Sequence, residues 1–101
     1  MKIKCKVEGR QDIYIPDKDS LIDFIKDKKL KKIHNFLPAG GMMLGADHDV
    51  KSVIVDIKKA ERLAIFTDSS ANMGHSLALI TNNRLECYDI GKITKKDLII
   101  N

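Results

Sequence analysis

Tryptophan is absent from this chain, and aromatic residues make up only 5% of its 101 positions. Isoleucine, leucine and valine must therefore build the core. The two cysteines, Cys5 and Cys87, are too few for a disulfide framework, and without a CxxC pair a zinc ribbon is excluded. Each lies on the apolar side of an alternating segment, which reads as a buried thiol of a reducing, cytoplasmic protein. No apolar run approaches the roughly 20 residues a membrane helix needs. The opening MKIKCKV alternates and lacks the apolar stretch of roughly 7–15 residues that a signal peptide carries. Neither a membrane nor a secretory route is expected.

The composition is that of an ordinary globular protein, 44% hydrophobic and 32% charged. That bounds the chain to one α+β domain over 1–101 with a single modest core. The net charge of +4 is unevenly placed. The excess lies in the first third of the chain, mostly in Lys26-Asp27-Lys28-Lys29-Leu30-Lys31-Lys32. Such a run reads first as a solvated helix end, since cations favour a helix C-terminus and lysine keeps proteins soluble. Nucleic-acid binding through 26–32 is an alternative, with base readout disfavoured by scarce arginine and no interleaved aromatics.

Along the chain, Lys2–Val7 alternates strictly and predicts a half-buried outer strand with a lysine face. Glu8–Gln11 is a turn, and Asp12–Ile15 returns as a short strand that Pro16 ends. Ser20 with Asp23 resembles a capping box ahead of an amphipathic helix carrying Leu21, Ile22, Phe24, Ile25 and Leu30. Ile33–Leu37 predicts a further short strand. In the second helix Val50, Val53, Ile54 and Ile57 fall at i, i+3, i+4, i+7, with Asp49 as its cap. Val53, Val55 and Ile57 also alternate, so a strand competes with this reading. The runs Leu63–Phe66 and Leu77–Ile80 predict a central pair of strands, and Asn82-Asn83 predicts a tight hairpin into Arg84–Tyr88, with Leu85 and Cys87 inward. Lys95–Ile100 is a closing segment of unassigned state. The sum is a mainly antiparallel sheet of four to six strands with two helices packed on one face.

All three histidines lie in or beside two irregular stretches, His34–Asp49 and Thr67–Ser76. A helix and a strand between them should fold both back to one end of the domain. That convergence predicts a polar, loop-built pocket lined by His34, Asp47, His48, Asp68, Ser69, Ser70, Asn72 and His75. Met42 and Met43, beside three glycines, predict a core plug or a homodimer contact. The histidine spacing matches no closed metal motif, and no G-x-S-x-G elbow, P-loop or G-x-G-x-x-G is present. No catalytic residue, resident metal or cofactor is therefore assigned. The expected function is a small non-catalytic binding or inhibitor module. It would take a small polar, nucleotide-like ligand or a protein partner. The enzymatic alternative is a metal-assisted or histidine-dependent hydrolase of a phosphorylated substrate.

Overall fold

The computed structural model describes residues 2–9, 13–36, 46–66, 76–81, 84–90, 93 and 95–100. Strand β1 (Ile3–Val7) turns back into β2 (Ile13–Pro16), and helix α1 (Lys18–Asp27) follows. Strands β3 (Lys32–Phe36) and β4 (Asp47–Asp49) lead into helix α2 (Val50–Lys59). Strands β5 (Arg62–Phe66), β6 (Ser76–Thr81) and β7 (Arg84–Asp89) form a meander. A 3-10 turn (Lys95–Asp97) then enters β8 (Leu98–Ile100). The strands form one sheet in the order β4-β3-β7-β6-β5-β2-β1-β8, antiparallel throughout except for the parallel β1–β8 pair. Six strands have four residues or more, and a three-residue strand closes each edge.

The expected α+β fold is present. The two apolar runs pair in register from Arg62 opposite Ile80 to Phe66 opposite Ser76, at the centre of the sheet. Thr81 pairs with Arg84, the antiparallel β6–β7 pairing that the sequence predicts, while Asn82 and Asn83 lie outside the described residues. Strand β1 has neighbours on both sides, β8 taking the outermost place. Its lysine face had marked it as outer because β8, with three residues, is too short to show a period of its own.

Helix α2 resolves the competition between two periods. Val53, Ile54 and Ile57 are buried while Val55 is 45% exposed. Helix α1 begins three residues earlier than expected. Its N-cap is Asp17, whose carboxylate accepts the Ser20 N–H at 3.1 Å. Ser20 lies inside the helix, and its Oγ instead accepts the Lys4 N–H at 2.9 Å, tying α1 to β1. Asp49 holds the N-cap position of α2 with extended backbone, but its side chain makes no capping bond. The far end of α2 is capped by Lys18, whose Nζ donates to the Lys58 and Ala60 carbonyls at 3.2 and 2.8 Å. A cation here complements the negative end of the helix dipole.

The core lies between the sheet and the helices. Ile3, Cys5, Tyr14, Ile33, Leu63, Ile65, Tyr88 and Leu98 from the strands meet Leu21, Ile22, Phe24, Ile25, Val53, Ile54 and Ile57 from the helices. Tyr88, rather than Cys87, is the inward residue of β7. Cys87 is buried too, yet stands outside this cluster. The alternation of Arg84-Leu85-Glu86-Cys87 points Cys87 inward, but the large Tyr88 ring takes the core face and turns Cys87 to the other. Burial raises both thiol pKa values, that of Cys5 to about 11, so both cysteines are inert rather than reactive.

Candidate functional site

Two polar constellations stand out among the described residues, at opposite margins of the sheet. The first is the β3–β4 ribbon. Asn35 sets its register: its backbone N–H donates to the Ala46 carbonyl at 3.1 Å, and its side-chain oxygen accepts the Ala46 N–H at 2.7 Å. This double clasp starts β4, and it places His34 opposite Asp47 and Ile33 opposite His48. His34 Nδ1 then lies 3.0 Å from Asp47 Oδ1. With Asp47 accepting at Nδ1, the neutral ring keeps its lone pair on Nε2. That atom is buried and has no partner among the described residues.

His34 and Asp47 belong to a longer row. Cross-strand pairing runs from Ser76 to Asp89, from Asp89 to His34 and from His34 to Asp47. Cross-strand partners share a sheet face, so the Asp89 and Asp47 carboxylates flank His34 on successive strands, with Ser76 at the next register position. The chain leaves β5 at Phe66 and re-enters the sheet at Ser76, beside this row.

His48 belongs elsewhere. Adjacent strand residues point to opposite faces, so His48 shares a face with Ile33 and the core. Its ring meets Tyr88 edge-on at 5.8 Å, and Tyr88 in turn donates its hydroxyl to Asp56 at 3.3 Å. The expected pocket therefore brings His34 and Asp47 together and separates them from His48. A three-residue strand gives no periodicity from which this could be read. Asp68, Ser69, Ser70, Asn72 and His75, and also Met42 and Met43, lie outside the described residues. Phe36, which precedes 37–45, stands level with Cys87 and Ala78, two residues along the sheet from the row of Phe66, Ser76 and Asp89. Strand β4 then carries Asp47–Asp49 back toward the Ser76 end.

The His48 geometry carries a consequence for stability. Its Nε2 is buried without a hydrogen-bond partner among the described residues, which costs about 1–3 kcal/mol of desolvation. His48→Leu is expected to raise stability by about 1 kcal/mol, read as a higher urea midpoint with an unchanged slope. A lowered midpoint would mean that the imidazole nitrogen is satisfied.

The second constellation is a cleft of about 480 Å³ lined by Lys4, Cys5, Lys6, Ile15, Pro16, Asp17 and Lys18. A smaller hollow of about 200 Å³ shares Ile15, Pro16 and Lys18 and adds Glu8, Glu61, Arg62 and Leu63. Ile15 and Pro16 give the cleft an apolar floor. Lys4 and Lys6 project from the exposed side of β1, with Lys6 paired to Ile15. The Asp17 carboxylate is occupied by the Ser20 N–H, and Lys18 Nζ by two carbonyls. Lys4 and Lys6 are the exposed cations at the rim of the cleft. Sequence reasoning passed over this site because alternating lysines on a strand look like an ordinary wet face. The signal was the Pro16-Asp17-Lys18 corner that folds α1 back beside them.

No group of three or more metal-ligating side chains occurs among the described residues, and no described helix is long and apolar enough to cross a membrane. The lysine segment 26–32 is mostly exposed, with Lys28 stacked 5.0 Å over the Phe24 ring, as a solvated helix end would be. Compared with protein-family models, curated proteins and solved structures, the chain matches none, so its functional reading rests on this geometry.

Proposed function

We propose that the protein is a small non-catalytic binding module for a phosphate-bearing, nucleotide-like ligand, taken in the cleft between β1, β2 and the start of α1. The lysine-rimmed cleft of about 480 Å³ carries this reading. Its volume falls within the range of small-molecule sites, roughly 300–1,000 Å³. An apolar floor with a few charged groups at the rim suits a ligand with a flat apolar part and an anionic part. Lys4 and Lys6 supply point charges for the anion, and the chain's net charge of +4 favours its approach.

A thermal-shift titration with ADP and with pyrophosphate tests the reading. A ligand at 100 times its Kd stabilises the folded state by about 2.7 kcal/mol. Lys4→Glu/Lys6→Glu, at two exposed positions, should fold normally and lose that shift. An equal shift in the double variant, or none in wild type at millimolar ligand, would remove the cleft as the site.

A second reading rests on the Asp47–His34 pair. A carboxylate on Nδ1 with an unpartnered Nε2 is the arrangement of a histidine general base. Hydrolysis of a chromogenic phosphodiester by wild type, lost in His34→Gln, would establish that reading against the first.

A further inference from the structure

The two margins of the sheet are built differently. At one edge, β4 is Asp47-His48-Asp49, with both carboxylates exposed, and it turns at once into α2. Charge and brevity guard such an edge against pairing with another chain. At the other edge, β8 is Leu98-Ile99-Ile100 and carries no charge. The large exposed hydrophobic residues among those described are Val7, Val55, Ile99 and Ile100, and three of these four lie on β1 and β8. Ile99 is 42% and Ile100 47% exposed.

The backbone pattern shows which β8 groups are available. The Lys4 carbonyl accepts the Asp17 N–H at 2.7 Å and the Lys4 N–H donates to Ser20 Oγ, so the polar groups of Lys4 point toward β2 and α1. Those of its neighbours Ile3 and Cys5 then point toward β8. In a parallel ladder, the residue opposite an inward-bonding one turns its own groups away. Ile3 is opposite Leu98, Lys4 opposite Ile99 and Cys5 opposite Ile100. Ile99 therefore bonds inward, and the carbonyls of Leu98 and Ile100 and the N–H of Ile100 face the open edge.

The side chains along this edge differ by face. Ile99 shares the helix-free face with Lys4, while Ile100 shares the helix-covered face with Cys5 and, further along β1, Val7. Lys2, Lys4, Lys6 and Lys96 are all exposed, against Glu8 and Asp97 along the same margin. We propose that β8 receives an extended segment of a partner protein by strand addition, and that this segment alternates acidic with β-branched apolar residues. The carboxylates would lie on the Lys4 side and the apolar residues beside Ile100 and Val7. Main-chain bonds supply affinity in this mode, and the alternating side chains supply selection. A second copy of the chain suits the edge less well, because it would set one lysine margin against another. The proposal shares Lys4 with the cleft reading and is separated from it at Ile100, which does not line the cleft.

The probes are three eight-residue synthetic peptides alternating valine with glutamate, with serine or with lysine. They are titrated into the ¹⁵N-labelled full chain. Affinity should fall in the order glutamate, serine, lysine, with the largest amide shift at Ile100. Ile100→Pro removes the outward N–H while leaving the β1 ladder intact, since proline is tolerated where the N–H faces solvent. It should weaken the glutamate peptide about tenfold or more, as expected for a lost main-chain bond and its neighbours. Response to ADP should be unchanged. Should the proline variant fail to fold, Ile99→Lys/Ile100→Lys places charge on two exposed positions and should have the same effect. Lys4→Glu/Lys96→Glu should invert the order toward the lysine peptide. Absence of binding by all three peptides, equal affinity in the edge variants, or preference of wild type for the lysine peptide would overturn the proposal. So would self-association of the free protein that the edge variants abolish, which would give β8 to a second copy.

Discussion

Tyr88→Ala is expected to cost about 3–5 kcal/mol of folding stability, the range for truncating a fully buried aromatic residue. A domain of this size holds roughly 5–15 kcal/mol in total, so the variant should lose a large share of its stability. The reason is position. Tyr88 is 1% exposed on β7, two strands in from the β4 edge, where it joins three elements. Its ring packs in the core, its edge meets His48 of β4, and its hydroxyl donates to Asp56 of α2. Tyr88→Phe separates these roles. It keeps the ring and removes the bond to Asp56, for about 1 kcal/mol. Urea unfolding of the two variants reads both effects. Near-equal losses in Phe and Ala would show that the hydroxyl, not the ring, holds α2 to the sheet.

Tyr88 also marks where the sequence stops informing. The central pair β5–β6 was legible because two apolar runs of matching length are bounded by polar residues, and Asn82-Asn83 limits how β6 can turn into β7. The next strand was misread by one residue. The alternation of Arg84 and Glu86 with Leu85 and Cys87 points the wrong way, because Tyr88 takes the core face while Cys87 is buried outside that cluster. The start of α1 failed for a different reason. Ser20 with Asp23 and Asp17 with Ser20 are both cap-like pairs three residues apart. Only the hydrogen bond from Ser20 N to Asp17 distinguishes them. Strands β4 and β8 are three residues each, shorter than two periods of alternation, so the faces of His48, Ile99 and Ile100 could not be inferred. Of the expected pocket, the His34–Asp47 contact is present because Asn35 clasps Ala46, a tertiary bond that no spacing rule encodes. The lysine cleft needed the α1 corner to exist before Lys4 and Lys6 could line a wall.

The remaining large effect lies in α2 and uses the ambiguity of its sequence directly. As a strand, Val53, Val55 and Ile57 would share one face and be buried alike. As a helix, Ile57 shares the inward stripe with Val53 and Ile54, while Val55 turns outward. The structure has Ile57 fully buried and Val55 45% exposed. Ile57→Ala should therefore cost about 2–5 kcal/mol, through lost burial and the cavity left between α2 and the sheet. Val55→Ala should change stability by less than about 0.5 kcal/mol, because alanine's higher helix propensity offsets the little apolar area lost at an exposed site. Equilibrium urea unfolding of the pair, followed by far-ultraviolet circular dichroism, measures the contrast. Equal costs at 55 and 57 would mean a strand here. They would also remove the carbonyls that Lys18 caps at the end of α2, and with them one wall-forming residue of the cleft, since Lys18 is oriented by Lys58 and Ala60. The stability of a single helix turn thus bears on the shape of the proposed ligand site.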